Sequence, residues 1–198
     1  MKKILPGFTL MELLIVIGVL GILAAGLLAA IDPFEQLKKA RDTNSRNASI
    51  ELLQGLQRFY ATHGALPWNM IGYEAICGRG TGQILNGLDS IHENALSVRD
   101  THLANCIFGS LVIDGELKNT YFSGIGSTNI FVGSDVDDKT DVAVCFEPES
   151  KSGRNDSSTK YLVNAKGDSG WYFVVEQTGV PPNTACPRQL GDCAQCFE

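Results

Sequence analysis

Glu12 is a carboxylate at the edge of a membrane-length apolar segment. It directly precedes Leu13–Ile31, a run of 19 residues without a charge. A carboxylate deep in hydrocarbon costs a few kcal/mol, so one retained there indicates a partner. A cut after Gly7 would give Phe8 a free α-amine, positively charged near neutral pH and about one helical turn from Glu12. Pairing with that amine, in the same chain or a neighbour, would offset much of the burial cost.

A second cluster of carboxylates lies just before a predicted strand. Its members are Asp135, Asp137, Asp138 and Asp141. Closely spaced carboxylates supply the hard oxygen ligands that Ca²⁺ takes, and calcium is the one cofactor that the sequence suggests. No EF-hand pattern surrounds them, and acidic loops are commonly just solvated. The sequence leaves both interpretations open.

Six cysteines follow the apolar segment: Cys77, Cys106, Cys145, Cys186, Cys193 and Cys196. Their even number predicts a disulfide framework if that side of the membrane is oxidising, although the pairing cannot be chosen from the sequence. The single CxxC at Cys193 to Cys196 is also compatible with a zinc knuckle or a redox motif. Zinc normally takes two such pairs, and no thioredoxin-like βαβ pattern is present, so we favour structural disulfides that pin the tail.

No group of residues in the sequence predicts catalysis. The glycine-rich stretch Gly124 to Ser127 lacks the spacing of a nucleophile elbow or a phosphate loop. The three histidines, His63, His92 and His102, are scattered in polar surroundings. We therefore expect the chain to have no enzymatic activity.

The apolar run is long enough to cross a membrane, since it would span roughly 30 Å as a helix. Lys2 and Lys3 precede it and Asp32 follows it. The positive-inside rule then keeps the N-terminus cytoplasmic and exports the rest of the chain. A signal peptide, a plain anchor and a segment cut before the apolar run but retained are all possible. Glu12 favours the third, because neither of the others has a use for a carboxylate.

The exported part is acidic. Only Lys2, Lys3 and Glu12 are charged before Asp32, which leaves 14 basic and 21 acidic residues from there on. A nucleic-acid partner is therefore disfavoured, because phosphate binding needs clustered Lys and Arg.

Helical periodicity resumes after Asp32-Pro33, where the proline either kinks a continuous helix or begins a new one capped by Asp32. Gly64 and Pro67 end the pattern. We expect nearly continuous helix from Phe8 to about Thr62, roughly 80 Å long. The apolar face of its second half is formed by Ala48, Leu52, Leu56 and Phe59.

The remaining chain mixes one predicted helix with predicted strands. Leu96, Leu103, Ile107 and Leu111 are compatible with a second helix that ends before Asp114-Gly115, which we favour slightly over a strand at Ile107 to Ile113. Strands are predicted at Asp141 to Phe146, Tyr161 to Val163 and Trp171 to Val175. A glycine-containing connection joins the last two as a hairpin.

The segment Gly7-Phe8-Thr9-Leu10-Met11-Glu12-Leu13-Leu14-Ile15-Val16 resembles the processing and methylation motif of type IV pilins and type II secretion pseudopilins. The resemblance implies cleavage between Gly7 and Phe8 by a prepilin peptidase, N-methylation of Phe8, and alignment of incoming subunits by Glu12. The implied partners are further copies of the chain, the peptidase/N-methyltransferase, an inner-membrane assembly platform and, before assembly, membrane lipid. Pro6 departs from the pattern, since a basic residue commonly precedes the glycine.

The resemblance also implies a fold. This is an α+β pilin-like fold, in which a long N-terminal helix packs against a small antiparallel sheet and a disulfide closes the C-terminal region. The corresponding segments are a leader at 1–7, a membrane and filament-core helix at 8–31, an amphipathic helix at 32–63 and a head at 64–198. Major secretion pseudopilins carry a calcium site in a late loop, which is compatible with the acidic cluster.

Three functions are consistent with these features. The first is a structural subunit of a type IV pilus or pilus-like filament. The second is the major pseudopilin of a type II secretion system, and the third is a membrane-anchored extracytoplasmic binding module. The first two place the chain in the inner membrane before assembly, and in a surface or periplasmic filament afterwards.

Overall fold

A computed structural model describes most of the chain. The described residues are 7–30, 32–77, 95–97, 101–125, 129–134, 142–159, 161–166, 171–176 and 193–198. The chain forms two compact units, Met1–Leu37 and Lys38–Glu198. The division into leader, membrane helix, amphipathic helix and head stays a prediction.

The first helix, α1, is the predicted apolar segment. It spans Leu10–Ala30 and consists almost entirely of Leu, Ile, Val, Ala and Gly. Within it, Leu10–Leu28 is long and apolar enough to cross a membrane. The side chains of this span are exposed throughout the single chain. A helix that is apolar on every side needs a membrane or other helices around it.

The second helix, α2, spans Pro33–His63. Asp32 is its N-cap, since Oδ1 of Asp32 accepts from the amides of Phe34 at 3.1 Å and Glu35 at 3.3 Å. Pro33 fits the first helical position, where no amide partner is needed. Of the two alternatives for Asp32-Pro33, a newly capped helix is therefore correct. The expected near-continuous helix from Phe8 is divided between α1, which ends at Ala30, and α2.

A small antiparallel sheet was predicted and is confirmed, with more strands than expected. Its strands are β1 Ala95–Ser97, β2 Ile130–Ser134, β3 Val142–Phe146, β4 Tyr161–Lys166, β5 Trp171–Glu176 and β6 Cys193–Phe197. They pair in the order β1-β2-β3-β6-β4-β5 and close into a barrel through β1 and β5. The predicted strands correspond to β3, β4 and β5. The prediction missed β1, β2 and β6 because they are short or lie between polar and cysteine-rich segments.

The core lies between α2 and the sheet. Leu52, Leu56 and Phe59 of α2 are fully buried in one apolar cluster with Ile130 and Val132 of β2. Phe131, the residue between those two on β2, is also fully buried. Since successive side chains of a strand point to opposite faces, both faces of β2 are covered. The helix–sheet packing implied by the resemblance is confirmed.

The predicted second helix is confirmed in part. It begins as α4 at Thr101–Ile107 and continues as a π-helical turn at Phe108–Val112. Leu96 was placed on this helix by its spacing but belongs to β1, where it pairs with Val132. Short helices also occur, namely a 3₁₀ turn Pro67–Asn69, α3 Glu74–Cys77, α5 Tyr121–Gly124 and α6 Lys151–Arg154.

Disulfides join distant parts of the head. Cys77 of α3 pairs with Cys106 of α4. Cys145 of β3 pairs with Cys196 of β6, which pins the C-terminal segment as predicted. Cys193 is also disulfide-bonded, whereas Cys186 lies outside the described residues. The described part of the chain contains no free cysteine, so a zinc knuckle or a reduced redox pair at Cys193 to Cys196 is wrong.

Candidate functional site at the N-terminus

The predicted processing site precedes α1. Gly7, Phe8 and Thr9 are not helical, and the side chain of Phe8 is 78% exposed. A Cβ atom added at Gly7 would meet no other atom within 4 Å. The fold therefore does not itself require a glycine at this position.

Glu12 lies in the first turn of α1 and is bonded to Thr9, the residue before the helix. Its Oε2 atom accepts from the Thr9 amide at 2.9 Å and from the Thr9 hydroxyl at 2.7 Å. The Glu12 amide donates in return to Thr9 Oγ1 at 3.3 Å. This reciprocal arrangement is a capping box, in which two helix-end amides find acceptors.

The capping box changes the interpretation of Glu12. The partner predicted for the carboxylate from the sequence is the amine that a cut would create at Phe8. With the Gly7–Phe8 bond intact, the partner is Thr9. The signal was present in the sequence, because Thr and Glu stand three residues apart just before an apolar run.

One oxygen of the Glu12 carboxylate stays available. Both bonds from Thr9 use Oε2, and within the described part of the chain Oε1 accepts no hydrogen bond. An ionised carboxylate can accept several bonds on its two oxygens. Glu12 can therefore keep its capping box and still receive a cation from outside its own chain.

The other predicted site has no structural test. Asp135, Asp137, Asp138 and Asp141 all lie outside the described residues, so calcium binding there stays a prediction. Among the residues that the structure does describe, no three His, Cys, Asp or Glu side chains are grouped as metal ligands.

The comparisons with known proteins identify this same segment. Residues 6–28 match the family model of the prokaryotic N-terminal methylation motif. No curated protein and no solved structure matches the chain significantly. The matched range contains Gly7, Phe8, the capping box and nearly all of the apolar helix. The chain therefore carries the N-terminal signature of type IV pilins and pseudopilins.

Proposed function

We propose that this chain is a structural subunit, without enzymatic activity, that assembles through α1 into a type IV pilus or pilus-like filament. The proposal is carried by the position of Glu12, an ionisable group inside a membrane-length helix. One of its carboxylate oxygens accepts no hydrogen bond within the described part of the chain. An ionisable residue in such a helix is expected to have a functional partner.

The proposed first stage is a membrane-anchored precursor. The span Leu10–Leu28 crosses the cytoplasmic membrane with the N-terminus inside and the head exported. Disulfides in the head support export, because such bonds persist in oxidising compartments.

The proposed second stage is processing. A prepilin peptidase cuts between Gly7 and Phe8 and methylates the new amine of Phe8. The non-helical backbone of Gly7 to Thr9 supports access, because a protease must reach a peptide bond that helical hydrogen bonds do not enclose. The open space around Gly7 supports a requirement imposed by the peptidase rather than by the fold.

The proposed third stage is assembly at an inner-membrane platform. The Phe8 amine of one copy approaches Glu12 of a neighbour, and Oε1 accepts from it. In hydrocarbon the attraction between these charges is much stronger than in water. An incoming helix placed out of register would leave both charges unpaired, so this pairing sets the axial register.

The proposal is tested by comparing Glu12→Ala with Glu35→Ala, a matched control in the first turn of α2. We expect both variants to be exported with their head disulfides formed. Glu12→Ala should produce no filaments, whereas Glu35→Ala should assemble as the parent chain does. Filaments are counted by electron microscopy, and export is measured by protease accessibility in spheroplasts. Normal assembly of Glu12→Ala would overturn the role proposed for Glu12, whereas a parent chain that is exported but forms no filaments would favour an anchored binding module.

A secretion pseudopilus remains the alternative within the same class. The acidic cluster at Asp135, Asp137, Asp138 and Asp141 provides the distinction, since calcium sites occur in major pseudopilins. Protection of the head from proteolysis by micromolar Ca²⁺ would favour the secretion role. Equal proteolysis with Ca²⁺ and with chelator would favour the pilus.

A further inference from the structure

The head has a concentrated set of exposed apolar side chains. From Lys38 onward, the described residues expose large apolar side chains at four positions, here called the apolar patch. They are Ile71 at 85% exposure, Ile76 at 39%, Phe108 at 50% and Ile113 at 69%. Single exposed apolar residues are common, but a set confined to two chain segments indicates an interaction surface.

Covalent and packing contacts bring the two segments together near Ile76. The Cys77–Cys106 disulfide joins the residue after Ile76 to α4. A Cβ atom built on Gly109 would clash with Cγ2 of Ile76. Ile76 therefore rests against the backbone next to Phe108.

The other end of the patch is joined by a hydrogen bond. Tyr73 Oη donates to Oδ2 of Asp114 at 3.3 Å. Ile71 and Ile113 lie close in sequence to these two residues. The π-helical turn also brings residues five apart close together, which favours a shared face for Phe108 and Ile113.

Two carboxylates that follow Ile113 in the described part of the chain, Asp114 and Glu116, have partners within the chain. Asp114 accepts a hydrogen bond from Tyr73, and its Oδ2 atom lies 3.6 Å from Nε2 of His63. Glu116 pairs with Arg58 at 2.8 Å. The exported part is acidic overall, so two copies repel each other over much of their surface. The hydrogen bond to Asp114 and the ion pair of Glu116 reduce the repulsion that these two carboxylates would exert on a second acidic head.

The size of the patch indicates the occupant. At these exposures the four side chains present roughly 400 Å² of apolar surface, about half of what each partner buries in a standard stable interface. That area is too small to hold a freely diffusing partner tightly. It suffices for molecules already held together elsewhere, because tethering raises the effective concentration.

We infer that the apolar patch contacts the head of a second copy of this chain within the filament. The inference rests on the proposed function, since α1 is what holds the copies together. It adds to that function a head-to-head contact that stiffens the filament outside the helical core.

The first test changes the charge of the patch in the full-length chain. Phe108→Glu and Ile113→Glu place a carboxylate in the contact, and Gln57→Glu adds the same charge on an exposed position of α2. Burial of an unpaired charge is unfavourable, so we expect filament yield to fall roughly tenfold or more for the patch variants alone. Export, processing and head disulfides should stay normal in all three. Equal yields for patch and control variants would overturn the inference.

The second test identifies what touches the patch. Benzoyl-phenylalanine placed at Phe108 or Ile113 of the full-length chain is photolysed in intact filaments, and adducts are identified by mass spectrometry. We expect head-to-head adducts between two copies, and we expect Glu12→Ala to abolish them. Filaments that form normally but give adducts only with lipid or other proteins would refute the patch contact while leaving the proposed function intact. A parent chain that forms no filaments would instead refute the proposed function.

Discussion

At the residue scale, Thr9 and Glu12 act as a pair. Thr9 bonds both to the carboxylate and to the amide of Glu12, so it fixes where α1 begins and how the carboxylate is oriented. Thr9 is thus a positioning residue in the proposed assembly step, whereas Glu12 is the residue that contacts the neighbour.

Replacement of Thr9 tests this positioning role. Thr9→Val keeps the shape but removes the hydroxyl that bonds to Glu12, and a lost helix cap costs about 1 kcal/mol. We expect roughly fivefold fewer filaments. Thr9→Ser, which keeps a hydroxyl, should assemble normally. Equal filament counts for Thr9→Val and the parent chain would show that the capping box has no part in assembly.

Tyr121 is a second residue whose environment gives a testable result. Its hydroxyl donates to the carbonyl of Ala48 on α2 at 3.2 Å. Burial, with a smaller effect of the Glu51 charge, raises the pKa of the Tyr121 phenol well above its usual range. The contribution of the neutral phenol to stability is therefore fully present below about pH 10, the pKa of an exposed tyrosine. Above that pH the phenol ionises in the unfolded state but stays neutral in the folded state, so this contribution is lost as the pH rises.

Tyr121→Phe should change both the stability and its pH dependence. At pH 7 we expect the free energy of unfolding to fall by about 1 kcal/mol, because one hydrogen bond is lost. Above about pH 10 the variant should lose stability less steeply than the parent chain, since it has no phenol to ionise in the unfolded state. Urea unfolding of the detergent-solubilised full-length chain measures both quantities. Parallel pH profiles would contradict this account.

At the element scale, the Asp32 cap separates α2 from the apolar helix that precedes it in the chain. Asp32→Ala leaves the amides of Phe34 and Glu35 without their side-chain acceptor, at a cost of about 1 kcal/mol to the helix start. We expect these amides to exchange with solvent roughly fivefold faster. Asp32→Asn retains an acceptor and is the control. Unchanged exchange in Asp32→Ala would show that Asp32 does not stabilise the start of α2.

The helices of this fold were predictable from the sequence, whereas the strand β6 was not. The apolar run and the Leu52, Leu56 and Phe59 stripe predicted α1 and α2, because long periodic segments carry a strong signal. For the segment of β6, the sequence predicts only a tail that disulfides hold in place, not a strand. This strand is joined to β3 by the Cys145–Cys196 disulfide and pairs with β4. Both are long-range contacts that no local pattern encodes.

At the scale of the whole molecule, the candidate site was more predictable than the head. Gly7, Phe8 and Glu12 lie within a short motif whose chemistry is local, and the family match covers that same segment. The missed residue, Thr9, was predictable from its spacing to Glu12. The apolar patch was not, because its two segments are brought together by the Cys77–Cys106 disulfide and the Tyr73–Asp114 hydrogen bond.

The proposed processing, membrane retention and self-assembly all depend on one N-terminal segment. Mass spectrometry of the membrane-bound form tests this dependence. We predict an N-terminal peptide that begins at Phe8, carries one methyl group on its amine and retains the whole apolar helix. A membrane form that keeps Met1, or one cut near Ala30, would contradict the account.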